Sequence, residues 1–338
     1  MAMKLYPESA VQDIADAIRE KSGSSDTYKV SEMANAIENI PSGGGITSDE
    51  WATGTISGDI NVGTSDVRVR TFQGAPITSV TGTGTGTVYG YAFSGCTSLR
   101  TVSLGFTTVN TYVFNGCTAL TSVNLPNATS LGEGSFKNCR ALVTFNAPNV
   151  KSVGQDAFYG CSSLTSIDLT KVNTSLGAQG IFQNCTALTD LYAPHATKFA
   201  TSGSSTASGC TALISARFPR VSSNTVRSST FTNDTNLKLV DLGKSQTIAS
   251  AGNIFTGCSA LEVLILRNTS VCTISRRTDF ASVTSPVTVY VPSSLKASYE
   301  ANTNWAAYVA AEKVTFANLE GSPYEAVDFV YNGIPATS

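Results

Sequence analysis

Charge and catalytic side chains are what this 338-residue chain has least of. Charged residues make up 14%, against about 25% in a typical soluble domain, so the surface has to be built largely from Ser, Thr, Asn and Gly. The formal net charge of −2 argues against a nucleic-acid groove, which needs a basic stripe. There is one histidine, His195, and its neighbours in Tyr192-Ala193-Pro194-His195-Ala196 offer no partners for a metal site or a Ser-His-Asp relay. It reads as a surface histidine. The cysteines include no Cys-x-x-Cys pair. The Gly-Thr repeats of Thr81–Thr87 carry no lysine and open no helix, which excludes a phosphate-binding loop. No two carboxylates are paired by their spacing. The sequence therefore offers no basis for an enzyme, and neither a metal nor a cofactor is expected. No apolar run is long enough to cross a bilayer. Met1-Ala2-Met3-Lys4-Leu5-Tyr6-Pro7 leads into a polar helix without an apolar secretory core.

What is present is a repeat, seen most cleanly from Ala92 to Leu104 as Ala-Phe-Ser-Gly-Cys-Thr-Ser-Leu-Arg-Thr-Val-Ser-Leu. Its cysteine slot is filled by Cys96, Cys117, Cys139, Cys161, Cys185, Cys210 and Cys258, at separations of 21, 22, 22, 24, 25 and 48 residues. The 48 is two periods of 24, with Asp234 standing in the cysteine slot between them. Phe occupies the slot three before the cysteine, from Phe93 to Phe255, with Ala207 the exception; Leu fills the slot three after it at all eight units, from Leu99 to Leu261. Eroded copies at Phe72 and Phe280 extend the run to ten candidate rungs. One such unit is too short to bury its own apolar side chains, so the fixed period predicts a solenoid of stacked coils. The Leu-x-x-Val-x-Leu segment ends in strand-like alternation, and successive coils are expected to pair these strands in parallel, about 4.8 Å apart. An apolar residue eight before the cysteine (Val109, Leu131, Val153), followed by Gly132 or Gly154, marks the corner on the opposite side.

The wording Ala-Phe-x-Gly-Cys-x-x-Leu-x-x-Val-x-Leu-Pro resembles the BspA-like class of bacterial leucine-rich repeats, over residues 72 to 292. The resemblance implies an α/β-type solenoid rich in short β-strands, with about ten rungs. Seven of the eight cysteines then share one stacked core slot and read as buried free thiols behaving as small apolar residues. Cys272 breaks the register and is the one expected to be exposed. Reduced thiols fit synthesis in the cytosol.

Outside the repeats, residues 1–41 read as a helical hairpin. Val11, Ile14 and Ile18 fall on one helical face, and Met33 and Ile37 on a second before Pro41. Pro41-Ser42-Gly43-Gly44-Gly45 reads as a flexible linker. So small a hairpin needs a partner for its apolar faces. The stretch from Ile14 to Gly23, with Ser31-Glu32-Met33-Ala34 and Ile37, resembles the N-terminal segment of tail-associated virion proteins from phages of Gram-positive gut bacteria. That resemblance implies attachment to a virion protein, or self-association, through Val11, Ile14, Ile18, Met33 and Ile37. Residues 42–71, with Trp51 and the alternating Asp66-Val67-Arg68-Val69-Arg70, are expected to be linker and strands closing the first coil. The Gly-Thr run is expected to be a loose loop. Residues 293–338 are expected to form a cap: helices over 293–301 and 304–308, a strand over 314–316, and a tail or docking strand beyond Gly321. Tyr299, Trp305, Tyr308 and Phe316 supply the apolar payload that seals an open core.

Five and seven positions after each cysteine, side chains should point outward in two columns. Column seven runs through Ser103, Asn124, Asn146, Asp168, Tyr192, Arg217, Asp241, Ile265 and Tyr290, and column five includes Asp190, Ser215, Leu239 and Val263. Charged and aromatic side chains begin at Asp168, and Asp168, Asp190, Tyr192, Arg217, Asp241 and Tyr290 have the composition of a binding patch. The expected function is therefore a non-enzymatic structural and recognition protein: a phage tail component, made in the bacterial cytoplasm, whose solenoid binds a protein or glycan on a host cell. The alternative is a bacterial cell-surface or secreted adhesin.

Overall fold

The structure, a computed structural model, describes residues 57–329 except 65, 177–178, 200–204, 223–224, 227–228, 249–252 and 275–279. The helical hairpin expected over residues 1–41, and Trp51, lie outside the described residues.

The period of the sequence becomes a stack of coils, most contributing one longer and one shorter strand; the coil of Cys161 forms no longer strand over residues 165–168. The longer strands form two parallel sheets: Gly58–Asn61, Ile77–Gly82, Thr101–Leu104, Ser122–Asn124 and Thr144–Asn146 in one, then Asp190–Tyr192, Ser215–Arg217, Leu239–Asp241, Val263–Ile265, Val287–Val291 and Val314–Asn318 in the other. The register places like on like. Val80, Val102, Val123 and Phe145 are partners in succession, as are Leu191, Ala216, Val240, Leu264 and Val289. The opposite side is built from two-residue strands such as Thr108–Val109, Ser130–Leu131 and Ser152–Val153. Gly132 and Gly154 sit here because coils approach too closely for a side chain: a Cβ on Gly132 would lie 2.5 Å from the carbonyl carbon of Asn110.

Each repeated slot has a physical role. The phenylalanines stack face to face from Phe72 to Phe182 at centroid separations of 5.0 to 5.7 Å, and resume at Phe231, Phe255 and Phe280. Every cysteine of the repeat is fully buried and donates its thiol to a carbonyl of the preceding coil, as Cys117 does to Phe93 O at 3.1 Å and Cys258 to Phe231 O at 2.9 Å. The residue before the cysteine has a positive φ, +74° at Gly95 and +60° at Asn138, and only Gly or Asn occupies the slot. Those residues visit the left-handed region most readily.

Helices α1 (Ser293–Glu300) and α2 (Thr303–Ala310) close the C-terminal end, the second capped by the Asn302 side chain. Phe280 ends the aromatic stack against Tyr308, edge to face at 5.1 Å. Tyr299 and Trp305 are fully buried.

Three expectations are corrected. Cys272 is buried, not exposed, because the cap lies over it: its N–H donates to Tyr299 Oη at 2.8 Å and its carbonyl accepts from Trp305 Nε1 at 2.7 Å. The Gly-Thr run is packed rather than loose, since Thr81 and Gly82 belong to a strand and a Cβ on Gly84 would meet Thr64 O at 2.5 Å. Asp66–Arg70 forms a turn with a single bridge from Val67 to Val88, leaving Val69 48% exposed. Its alternation comes from one inward residue rather than from a strand.

Candidate recognition surface

The two outward columns exist, but one chain segment divides them. Over the first sheet, Thr101, Ser103, Thr144, Asn146 and Ser166 are exposed, and Ser122, Asn124 and Asp168 half-exposed. Their side chains are tied along the axis: Asn146 Nδ2 donates to Asn124 Oδ1 at 2.7 Å, and Asn124 Nδ2 to Ser103 Oγ at 3.2 Å. Asp168 turns back to accept from the backbone and hydroxyl of Thr170.

From Asp190 onward the same face is covered by the chain's own residues 319–329. Leaving the last strand, this segment doubles back across the sheet. Leu319 and Phe329 bury themselves against Leu239, Val263 and Ile265, with Ile214, Tyr290 and Tyr324 alongside. Tyr324 meets Tyr290 edge to face at 4.9 Å. Two arginines clamp the segment. Arg267 donates to the carbonyls of Tyr324, Glu325 and Ala326, and Arg217 Nη1 to that of Phe329 at 2.9 Å. The Arg217 guanidinium lies 4.7 Å from the Tyr192 ring centroid and 5.6 Å from that of Phe329.

Beneath the segment the charges neutralise one another. Arg217 pairs with Asp190 at 3.0 Å and Arg267 with Asp241 at 2.9 Å, with Arg217 and Asp241 fully buried. Burial pushes the Asp241 carboxyl up, against the opposing pull of Arg267 and the Gly243 N–H. Burial likewise raises the Tyr192 hydroxyl. Ser215 Oγ donates to Asp190.

The exposed patch expected from Asp168, Asp190, Tyr192, Arg217, Asp241 and Tyr290 is therefore corrected. Asp190, Tyr192, Arg217, Asp241 and Tyr290 are brought together, but as the bed of an intramolecular contact. Asp168 alone stays with the open face. Of the tail or docking strand expected beyond Gly321, the segment docks but as turns rather than a strand, and sequence reasoning missed both its place on this face and the role of Arg267. The available signal was that Leu239, Val263 and Ile265 follow one another in the outward columns, an apolar patch that a folded chain tends to cover. The attachment residues Val11, Ile14, Ile18, Met33 and Ile37 lie outside the described residues. His195 is exposed, with its Nδ1 2.9 Å from Arg220 Nη1. Among the described residues no cluster of His, Cys, Asp and Glu could hold a metal ion, and no helix is long and apolar enough to cross a membrane.

The profile of the BspA type leucine rich repeat region matches in six copies, over residues 65–189, 107–238 and 197–302. The chain belongs to that family. Among solved structures, the BspA-type chain is 20% identical to a leucine rich repeat protein of T. pallidum, covering 60% of this chain and 83% of that one at a TM-score of 0.37. A leucine rich cell surface protein of Faecalibacterium prausnitzii is 18% identical, with 83% and 91% covered and a TM-score of 0.28. A leucine-rich repeat protein of Bacteroides ovatus is 14% identical, with 77% and 94% covered and a TM-score of 0.36. No curated protein matches the chain.

Proposed function

We propose that this BspA-type solenoid is a non-enzymatic recognition protein, a phage tail-associated component that presents its open strand face to a ligand on the host surface. In this reading residues 1–41 attach it to the particle through Val11, Ile14, Ile18, Met33 and Ile37, and the protein is made in the bacterial cytoplasm. The observation that carries the recognition role is the division of the strand face. The outward columns are closed over by residues 319–329 from Asp190 onward, while Thr101 to Asp168 stand as an uncovered, hydrogen-bonded array of polar side chains. Such an array holds donors and acceptors at the coil spacing of about 4.8 Å, with little freedom left to lose on binding. The Ile14–Gly23 resemblance supports the virion assignment.

Deleting residues 1–44 tests the attachment half. Coils contact only their neighbours, so the melting transition should stay unchanged while incorporation into particles is lost, and replacing Ile14 and Ile18 with Asp should reproduce that loss. Host-cell binding by the deleted protein should persist and should fall when Asn124 and Asn146 are replaced by Lys. Loss of the fold on deletion would make the hairpin a cap and remove the attachment reading. A bacterial surface or secreted adhesin is the second reading, and sortase or secretion genes beside this one, in place of tail genes, would decide for it.

A further inference from the structure

One edge of the solenoid carries its positive charge in a line. At the corner beyond the sheet-side segment of these coils, the chain turns two residues past a buried anchor. After Leu169, Ala193, Phe218 and Leu242, all buried, that second position is Lys171, His195, Arg220 and Lys244, every one exposed. From Ala193 onward the corners are held in register by backbone bonds, Ala193 N to Arg217 O at 3.1 Å, Phe218 N to Asp241 O at 2.9 Å and Leu242 N to Ile265 O at 3.1 Å. Four successive coils thus set four nitrogen-bearing side chains over about 14 Å.

An open cleft runs along this edge, lined by Lys151, Thr170, Lys171, Asn173, His195, Thr197 and Arg220, without a carboxylate. Asp168, the nearest acid in sequence, is engaged by Thr170. Lys171 reaches Asn149 Oδ1 at 2.7 Å and Arg220 reaches His195. None of Lys151, Lys171, Arg220 and Lys244 is in an ion pair among the described residues. Unpaired cations concentrated on one edge of a chain of net charge −2 form a local field that attracts anions.

We infer that this edge binds an anionic polysaccharide, a single thread whose phosphate or sulfate groups meet Lys151, Lys171, Arg220 and Lys244 while its hydroxyls meet Thr170, Asn173 and Thr197. This deepens the recognition role proposed above and rests on it. A thread is favoured over a duplex because three of the cations, Lys171, Arg220 and Lys244, share one corner position and form a narrow line, with Lys151 beside its end. A polysaccharide is favoured over a single-stranded nucleic acid because the cleft has no aromatic side chain on which bases could stack.

The test uses the full chain and four probes of matched length: dextran sulfate, dextran phosphate, neutral dextran and a thymine oligonucleotide. Binding is expected to one or both charged dextrans and not to neutral dextran, which of the two binds identifying the anion. Affinity should fall with salt on a log–log slope of about −2 to −4, as three or four contacts release counterions. Replacing Lys171 and Arg220 together with Gln should weaken binding at least about 10-fold and reduce the slope by about two contacts, with the melting temperature unchanged. Replacing Lys238, a half-exposed lysine paired with Glu262, should change affinity less than twofold. Equal binding by the double variant, equal loss on replacing Lys238, or oligonucleotide binding of the same strength through the same residues would overturn the inference. Absence of charged-dextran binding, with host binding still sensitive to Asn124→Lys, would overturn it while leaving the recognition role standing.

Discussion

Asp234 is a carboxyl in a slot that seven coils fill with a thiol, and the structure makes its cost calculable. It is fully buried; Oδ1 accepts from Cys210 N at 2.8 Å, and Oδ2 has no partner among the described residues. Burial dominates, only partly offset by the N–H groups of Cys210 and Gly209, and its pKa rises from 3.8 to about 9. At neutral pH the folded protein therefore holds a proton that the unfolded chain has released. Below pH 3.8 both states are protonated and there is no penalty. Above it, stability falls by about 1.4 kcal/mol per pH unit until the folded carboxyl itself ionises.

At pH 7 this handicap is on the order of 4 kcal/mol. Asp234→Cys removes it, since a thiol is protonated in both states at that pH. The new thiol stands where its homologues donate to the preceding coil, facing the Ala207 carbonyl that already accepts from Cys210 N at 3.3 Å. The bond from Cys210 N to the carboxyl is lost, at about 1 kcal/mol. The net gain of about 3 kcal/mol at pH 7 corresponds to a rise in melting temperature of about 5 °C, shrinking to nothing near pH 4. Differential scanning calorimetry of wild type, Asp234→Cys and Asp234→Asn from pH 4 to 8 is the assay, and both variants should flatten the pH dependence. A wild-type advantage at pH 7, or a difference that does not grow with pH, would mean that the carboxylate is ionised and has a specific partner, and the reasoning would fail.

Burial pushes the Cys96 thiol up to about 11 and those of Cys161 and Cys272 to about 12, so a maleimide at pH 7 should label none of the eight cysteines natively and all eight in denaturant, read by intact mass. Arg217→Ala should cost about 3–5 kcal/mol in stability, because it leaves Asp190 without its ion-pair partner and Phe329 without its clamp; urea melts check this. Ending the chain at Asn318 should expose Leu239, Val263 and Ile265 and give concentration-dependent association in light scattering. Arg267→Ala should instead leave the association state unchanged while speeding proteolysis within residues 319–329, since it removes three carbonyl contacts but not the apolar ones.

Whatever repeats was legible in the sequence, and whatever acts once was not. The slots of Phe93, Cys96 and Leu99 return coil after coil, broken only by Ala207 and Asp234, so their burial, their stacking and the parallel register follow from the period. The cap was legible for a different reason: Tyr299, Trp305 and Tyr308 are too large and too apolar for a surface. Cys272 was misplaced because its cover comes from Tyr299 and Trp305, some 30 residues along the chain and outside any period. Asp66–Arg70 shows the converse failure, where two-residue alternation occurs in a turn with only Val67 buried.

The strand face joins these two cases. Its columns change character at Asp190, and a change from Ser, Thr and Asn to Arg, Leu, Val and Ile can mean an outside partner or a covering segment, because both bury the same kinds of side chain. Charge distinguishes them. A patch awaiting a charged partner carries an excess of one sign, whereas here Asp190, Arg217, Asp241 and Arg267 balance in pairs, and the arginines spend their remaining donors on backbone carbonyls of residues 324–329. Carbonyl recognition needs no particular side chain in the covering segment. That is why Gly321-Ser322-Pro323-Tyr324-Glu325-Ala326 carries no periodic mark of its role, and why the eroded half of the repeat is a bed for the chain itself while the regular half remains open.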